Sequence, residues 1–140
     1  MRILIAEDDV ASRLFMKKFL SKYGECDVAV DGIEALDAYL NSIKDGNVYD
    51  LICLDIMMPR LDGIKVLKSI RDIEKQNGIE TDKKVKIIMT TALNDKETVL
   101  KTYDSGCEAY ACKPIEIDKF ILVMRNLGLI KTPGRLCENL

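Results

Sequence analysis

The stretch Leu51-Ile52-Cys53-Leu54-Asp55-Ile56-Met57-Met58-Pro59-Arg60-Leu61-Asp62-Gly63 decides the fold. An unbroken apolar run, closed by an acid and followed by Pro59 and Gly63, reads as a short strand buried on both faces. A strand with one wet face would alternate polar and apolar side chains. Working outward, four more short stretches rich in branched residues read as strands: Ile3 to Ala6, Asp27 to Val30, Val85 to Thr90, and Ala109 to Cys112. The intervals between them have helix length and helical spacing. The first carries Phe15, Phe19 and Tyr23 beside Met16 and Leu20, ending at Gly24, and the second carries Ile33, Leu36, Leu40 and Ile43. The third opens near Gly63 and carries Ile64, Leu67, Ile70 and Ile73; the fourth carries Val99, Leu100 and Tyr103; the fifth carries Phe120, Ile121, Met124 and Leu127. Strand and helix alternate five times, which predicts an α/β fold with a doubly wound five-stranded parallel sheet.

Bulk properties narrow the setting. A chain of 140 residues, 48% of them hydrophobic, can bury one core without disulfides or a structural metal. A formal charge of −2, from 21 basic and 23 acidic side chains, supplies no field that would hold nucleic acid or an anionic membrane. The five cysteines lack CxxC spacing and the chain has no histidine, so they read as reduced thiols in a cytoplasmic protein. The apolar start, Ile3 to Ala6, is too short for a signal-peptide core, and no segment approaches membrane-spanning length. The polar run Glu74 to Lys84 reads as the end of the third helix and an exposed loop. Residues 1–127 are expected to form the domain and 128–140 a loose tail, with no second folded domain after it.

In an open parallel sheet, ligands collect beyond the carboxyl ends of the strands. The first strand ends in Glu7-Asp8-Asp9, the third in Asp55, the fourth in Thr90-Thr91-Ala92 and the fifth in Lys113-Pro114. Clustered carboxylates repel, so they must take up protons or share a cation, and an all-oxygen donor set selects a hard ion such as magnesium. Taken singly, each residue has an ordinary reading: Asp9 as a helix cap, Asp55 as a turn residue before Pro59, Lys113 as a surface lysine, Thr91 as a β-branched strand end. Asp55 is harder to dismiss, because it follows a buried run and an acid there needs a cation or a reaction. A carboxylate beside a metal can attack phosphorus, while an ammonium and a hydroxyl hold the phosphoryl oxygens. Lys113 and Thr91 supply both.

Four motifs, ILIAEDD at 3–9, LDIMMPRLDG at 54–63, IIMTTA at 87–92 and YACKP at 110–114, stand in order at fitting separations. Through them the chain resembles the receiver domains of two-component response regulators, over about 127 residues. The resemblance implies a flavodoxin-like (βα)5 sheet of order 2-1-3-4-5. It implies that Asp55 accepts a phosphoryl group from a histidine kinase or histidine phosphotransfer protein. Magnesium would be held by Asp8, Asp55 and the Met57 backbone carbonyl, with Glu7 assisting. Thr91 and Lys113 would bind the phosphoryl oxygens. Thr91 and Tyr110 would form a switch, acting on a downstream protein through the fourth helix, fifth strand and fifth helix. Family members often carry a cis peptide before the proline matching Pro114. Whether Glu7 or Asp9 completes the acid pair is open, although the distance to Gly24 favours Glu7 and leaves Asp9 as a cap. Met57 and Leu93, two residues beyond Asp55 and Thr91, are apolar positions flanking the path of an attacking water.

The reading is of a stand-alone chemotaxis-type receiver, monomeric or weakly dimeric. It catalyses only its own phosphorylation and dephosphorylation and makes no direct contact with nucleic acid or membrane. A magnesium-dependent phosphohydrolase with an aspartate nucleophile is the rival from the enzyme class, but it would carry an acid where Met57 stands. A receiver-like module that no longer takes phosphate is the other rival.

Overall fold

A computed structural model describes residues 1–92 and 96–131, the side chain of Lys96 excepted. Leu93 and residues 132–140 of the expected tail, Cys137 among them, lie outside the described residues. Five strands alternate with five helices: β1 Arg2–Ala6, α1 Val10–Leu20, β2 Glu25–Ala29, α2 Gly32–Lys44, β3 Leu51–Asp55, α3 Gly63–Gln76, β4 Lys86–Thr91, α4 Lys96–Asp104, β5 Ala109–Cys112 and α5 Ile117–Asn126. All neighbours are parallel, in the order β2-β1-β3-β4-β5. The fold is the doubly wound, flavodoxin-like α/β arrangement that the sequence predicts.

The unbroken apolar runs follow from two cores, one on each face of the sheet. Leu4, Ala6, Ile52, Leu54, Ile87 and Met89 point to one side and pack with Ala35, Tyr39, Val66, Leu67 and Ile70 from α2 and α3. Their alternating neighbours Ile3, Ile5, Leu51, Cys53 and Ile88 point to the other, against Met16, Phe19 and Leu20 of α1 and Phe120 and Met124 of α5. Side chains alternate with a period of two along a strand, so a strand covered on both faces must be apolar throughout. Among the described residues, aspartates cap three helices: Asp9 accepts from the Ser12 amide at 2.8 Å, Asp31 from Glu34 at 2.9 Å and Asp62 from Lys65 at 3.0 Å. Cys26, Cys53, Cys107 and Cys112 are free thiols. Among the described residues, no helix is long and apolar enough to cross a membrane.

The structure corrects several local expectations. β2 begins at Glu25 rather than Asp27, because the Glu25 amide donates to the Met1 carbonyl at 2.9 Å and Glu25 pairs with Arg2. α1 ends at Leu20, and Gly24 serves the strand instead: a Cβ there would lie 2.3 Å from the Met1 carbonyl oxygen. The inward face of α2 centres on Ala35, Tyr39 and Ser42, which turns Leu40 outward. On α4 the buried residue is Thr102, its hydroxyl satisfied by the Val99 carbonyl at 2.7 Å, while Leu100 and Tyr103 are 61% and 47% exposed.

The run Glu74 to Lys84 contains the end of α3, as expected, but it is not wholly exposed. α3 continues to Gln76, and the Glu74 side chain is fully buried. One Glu74 oxygen accepts from Arg71 Nη1 at 2.6 Å and the other from the Val85 amide at 2.9 Å. Arg71 also donates to the Gly106 and Val85 carbonyls at 2.8 and 3.0 Å and to both Glu108 oxygens at 2.7 and 3.0 Å. Every guanidinium nitrogen thus has a partner, and α3, the start of β4 and the α4–β5 turn are fastened at the amino end of the sheet. Removing one partner of a buried ion pair strands the other. Glu74→Ala is therefore expected to cost about 3 kcal/mol, read as a lower urea midpoint at unchanged slope, with Glu74→Gln losing less. An alanine variant as stable as the parent would show the pair to be dispensable.

Candidate functional site

The site is assembled where the strands end. Ladder bonds continue one residue past three of them: the Glu7 amide donates to Ala29 at 3.0 Å, Ile56 to Thr90 at 3.0 Å and Lys113 to Thr91 at 2.8 Å. These bonds fix the backbones of Glu7, Asp55 and Lys113 side by side. The Lys113 ammonium donates to Asp55 Oδ2 at 3.0 Å and pairs with Glu7 Oε1. Glu7 Oε2 accepts from the Asp9 amide at 3.2 Å, and Asp55 Oδ1 accepts from the Met57 amide at 3.3 Å. Oxygens of Glu7, Asp8 and Asp55 all lie within 4.8 Å of one another. Glu7 and Asp55 are buried, whereas Asp8 faces solvent.

Glu7, Asp8, Asp55 and Lys113 thus come together from three strand ends, while Asp9 turns away to cap α1. Thr91 is fully buried at the end of β4, its carbonyl holding the Lys113 amide. Tyr110, paired with Met89, is half-buried and packs on the core layer shared by α2 and α3. Met57 presents an exposed side chain on the β3–α3 loop. The Lys113–Pro114 peptide bond is cis.

Two features went unread in the sequence. Arg13, on the first turns of α1, donates to the Glu7 and Asp8 carbonyls at 3.0 and 3.4 Å and steadies the acidic turn. Asp31 and Gly32 lie against the β3–α3 loop: Arg60 pairs with Asp31 at 3.1 Å, and a Cβ on Gly32 would meet the Leu61 carbonyl oxygen at 1.8 Å. The signal available was an Asp-Gly pair directly after the second strand.

The electrostatics are unbalanced. Burial pushes the Glu7 carboxyl above its ordinary range. Its hydrogen bond with Asp55 raises it further, against the Lys113 ammonium and the Asp9 amide. Burial also opposes the charge on Lys113, but Glu7 and Asp55 outweigh it and hold the ammonium above the usual lysine value. Three carboxyl groups face one ammonium, so the cluster favours a further positive charge, which a divalent cation would supply. An oxygen-only donor set with one ligand open to water fits magnesium, which keeps several waters and takes few protein ligands. A cavity walled mainly by Ala11, Phe15, Met16 and Ile115 opens beside Glu7 and Lys113.

A family model described as the response regulator receiver domain matches residues 3–125. Over 115 residues the chain is 36% identical to the hybrid signal transduction histidine kinase I of Dictyostelium discoideum, covering 81% of this chain and 6% of that protein. Among solved structures it is similar to a co-crystal structure of the Saccharomyces cerevisiae histidine phosphotransfer signalling protein Ypd1 with the receiver domain of its downstream response regulator Ssk1. There the identity is 33% and the TM-score 0.76, with 89% of this chain and 87% of that one covered. The CheX–CheY–BeF3–Mg complex of Borrelia burgdorferi is 28% identical with a TM-score of 0.75, over 94% of this chain and 90% of that one.

The ion pairs yield a test in the metal-free protein. Without its ammonium, Lys113→Ala should raise the Glu7 pKa further. A carboxyl raised on folding contributes stability that is full below its unfolded value, about 4.3, and is lost as pH climbs through the folded one. Lys113→Ala is expected to be less stable than the parent by about 2 kcal/mol at pH 7 and by much less near pH 4. Urea unfolding at the two pH values measures the difference. Equal losses would show that Lys113 does not carry the carboxylates' charge.

Proposed function

The chain belongs to the response regulator receiver domain family, the phosphoacceptors of two-component signalling, and on that premise we propose that Asp55 is its phosphoacceptor. The observation that carries the proposal is the buried Asp55 carboxylate, held 3.0 Å from the Lys113 ammonium within reach of the Glu7 and Asp8 oxygens. Asp55 is the last residue of β3 itself, buried with one oxygen engaged by Lys113 and the other by a backbone amide; Glu7, one residue past β1, is held by the same ammonium and by the Asp9 amide. Burial holds the Glu7 carboxyl pKa above its ordinary range.

In the transfer, an Asp55 oxygen attacks the phosphorus of a phosphohistidine. The new O–P bond forms as the N–P bond breaks, and the imidazole leaves with that electron pair. Asp8, Asp55 and the Met57 carbonyl would hold magnesium, with Glu7 beside them. When bound, the ion supplies positive charge to the phosphoryl oxygens and offsets the repulsion between nucleophile and phosphate. Lys113 exchanges its bond to Asp55 for one to a phosphoryl oxygen, and the Thr91 hydroxyl donates to another. Hydrolysis of the aspartyl phosphate by water returns the free carboxylate, so the domain catalyses only its own gain and loss of phosphate.

The donor is a histidine kinase or a histidine phosphotransfer protein, the class of protein bound in the related Ypd1–Ssk1 crystal. Output runs through Tyr110 to the surface of α4, β5 and α5, where Leu100, Tyr103 and Leu122 are exposed and a cavity lined by Tyr110, Lys113 and Phe120 separates β5 from α5. The downstream partner reads that surface as a protein contact. The free thiols support a reducing, cytoplasmic setting. An apolar, exposed Met57 argues against the phosphohydrolase, which would place its acid there.

Asp55→Asn is expected to abolish covalent labelling by acetyl phosphate in magnesium, followed as the mass increase of one phosphoryl group. Undiminished labelling of that variant would sink the assignment. With beryllofluoride and magnesium, the Tyr110 ring resonances of the unaltered protein are expected to shift. Unmoved resonances would favour a passive interaction module.

A further inference from the structure

The β3–α3 loop, residues 56–62, carries Met57 from the phosphoacceptor to α3, and it is held at both ends. At one end Gly63 donates to the Ile56 carbonyl at 2.8 Å and packs so closely that a Cβ would lie 2.1 Å from the Asp55 carbonyl oxygen. At the other, Pro59 to Leu61 rest on the first turn of α2. The Gly32 amide donates to the Pro59 carbonyl at 3.4 Å, and the Leu61 carbonyl occupies the space a Gly32 side chain would need. Between them the Leu61 amide donates back to Pro59 at 2.8 Å, closing a tight turn centred on Arg60, whose φ is 70°. A non-glycine residue in that region persists where its surroundings hold it. Here the holder is Asp31, which accepts from Arg60 Nη1 through one oxygen and caps α2 through the other.

We infer that Gly32 and Arg60, neither of them a member of the acidic cluster, are positioning residues that set the β3–α3 loop and thereby aim the Met57 carbonyl at the divalent cation. The inference rests on the magnesium reading above. Position 32 must be glycine because the loop backbone occupies the place of its side chain. Arg60 ties the strained turn to a helix cap that cannot follow the loop if it drifts. A loop free to lift from α2 would move Met57 relative to Asp55 without touching either carboxylate.

Magnesium binding by the full chain, measured by calorimetry, tests this with three variants. Gly32→Ala is expected to raise the Kd for magnesium roughly 10- to 100-fold, the usual effect of removing a support of a metal ligand. Arg60→Gly keeps the turn's backbone accessible but cuts the tie. It is expected to weaken magnesium several-fold and speed hydrogen exchange of the loop amides without lowering thermal stability. It also decides the matter should Gly32→Ala fail to fold. Gly46→Ala is the control: Gly46 has the same φ of 70° in open space, so that variant should lose stability while binding magnesium as the parent does. Parental affinity in both Gly32→Ala and Arg60→Gly, with the unaltered protein binding magnesium, overturns the inference alone. Failure of the unaltered protein to bind magnesium overturns the metal reading and the inference with it.

Discussion

The arrangement depends on keeping two carboxylates, Glu7 and Asp55, out of water within reach of one ammonium. Desolvating an acid is costly unless something compensates its charge. Lys113 compensates both in part, through its pair with Glu7 and its 3.0 Å bond to Asp55. The remainder is an unfilled demand for positive charge. The nearby exposed acid, Asp8, provides the route by which a hydrated cation could answer it. The same burial is the main reason that the Glu7 pKa lies above its ordinary range.

The sheet makes this possible because it supplies rigid supports at each corner. Glu7, Asp55 and Lys113 lie on or beside strands whose ladder bonds run to the last residue before the site. Arg13 grips the carbonyls of the acidic turn from α1, and the β3–α3 loop is seated on α2. Such supports matter beside the ligands' identities, since they fix where each acid stands relative to the others.

The legible and illegible parts of the sequence divide along a physical line. The resemblance carried by four motifs implies the strand order, and the ends of β1, β3 and β5 are marked by acids or a lysine that interrupt apolar runs. Residues that serve the site directly therefore stand out, because a charge beside a buried run needs a reason. Glu74 did not stand out. It sits in a polar segment, and only packing shows that Arg71 satisfies it beneath a loop. Gly32 and Arg60 were silent for a related reason: their roles are close approach and backbone angle, which leave no trace in hydrophobic periodicity. The α4 face was misread because Thr102, with its hydroxyl bonded within the helix, is as buryable as an aliphatic side chain. That left Leu100 and Tyr103 free to face solvent.

The two ends of the sheet consequently differ in kind. At the amino end, Arg71 meets Glu74, Glu108 and two carbonyls through all three of its guanidinium nitrogens, and so ties α3, β4 and the α4–β5 turn together. At the carboxyl end, charge is left over and the residues around it can trade partners. α4 spans the two. Its last turn leads to Gly106, whose carbonyl is held by Arg71, while its first turn follows in the chain on β4, the strand that ends at Thr91. A helix fastened at one end, burying little of its apolar surface, costs little to tilt at the other. On the proposed function, the charge that a phosphoryl group brings to Asp55 would fall at the carboxyl end of the sheet, and α4 would feel it before the fastened amino end does.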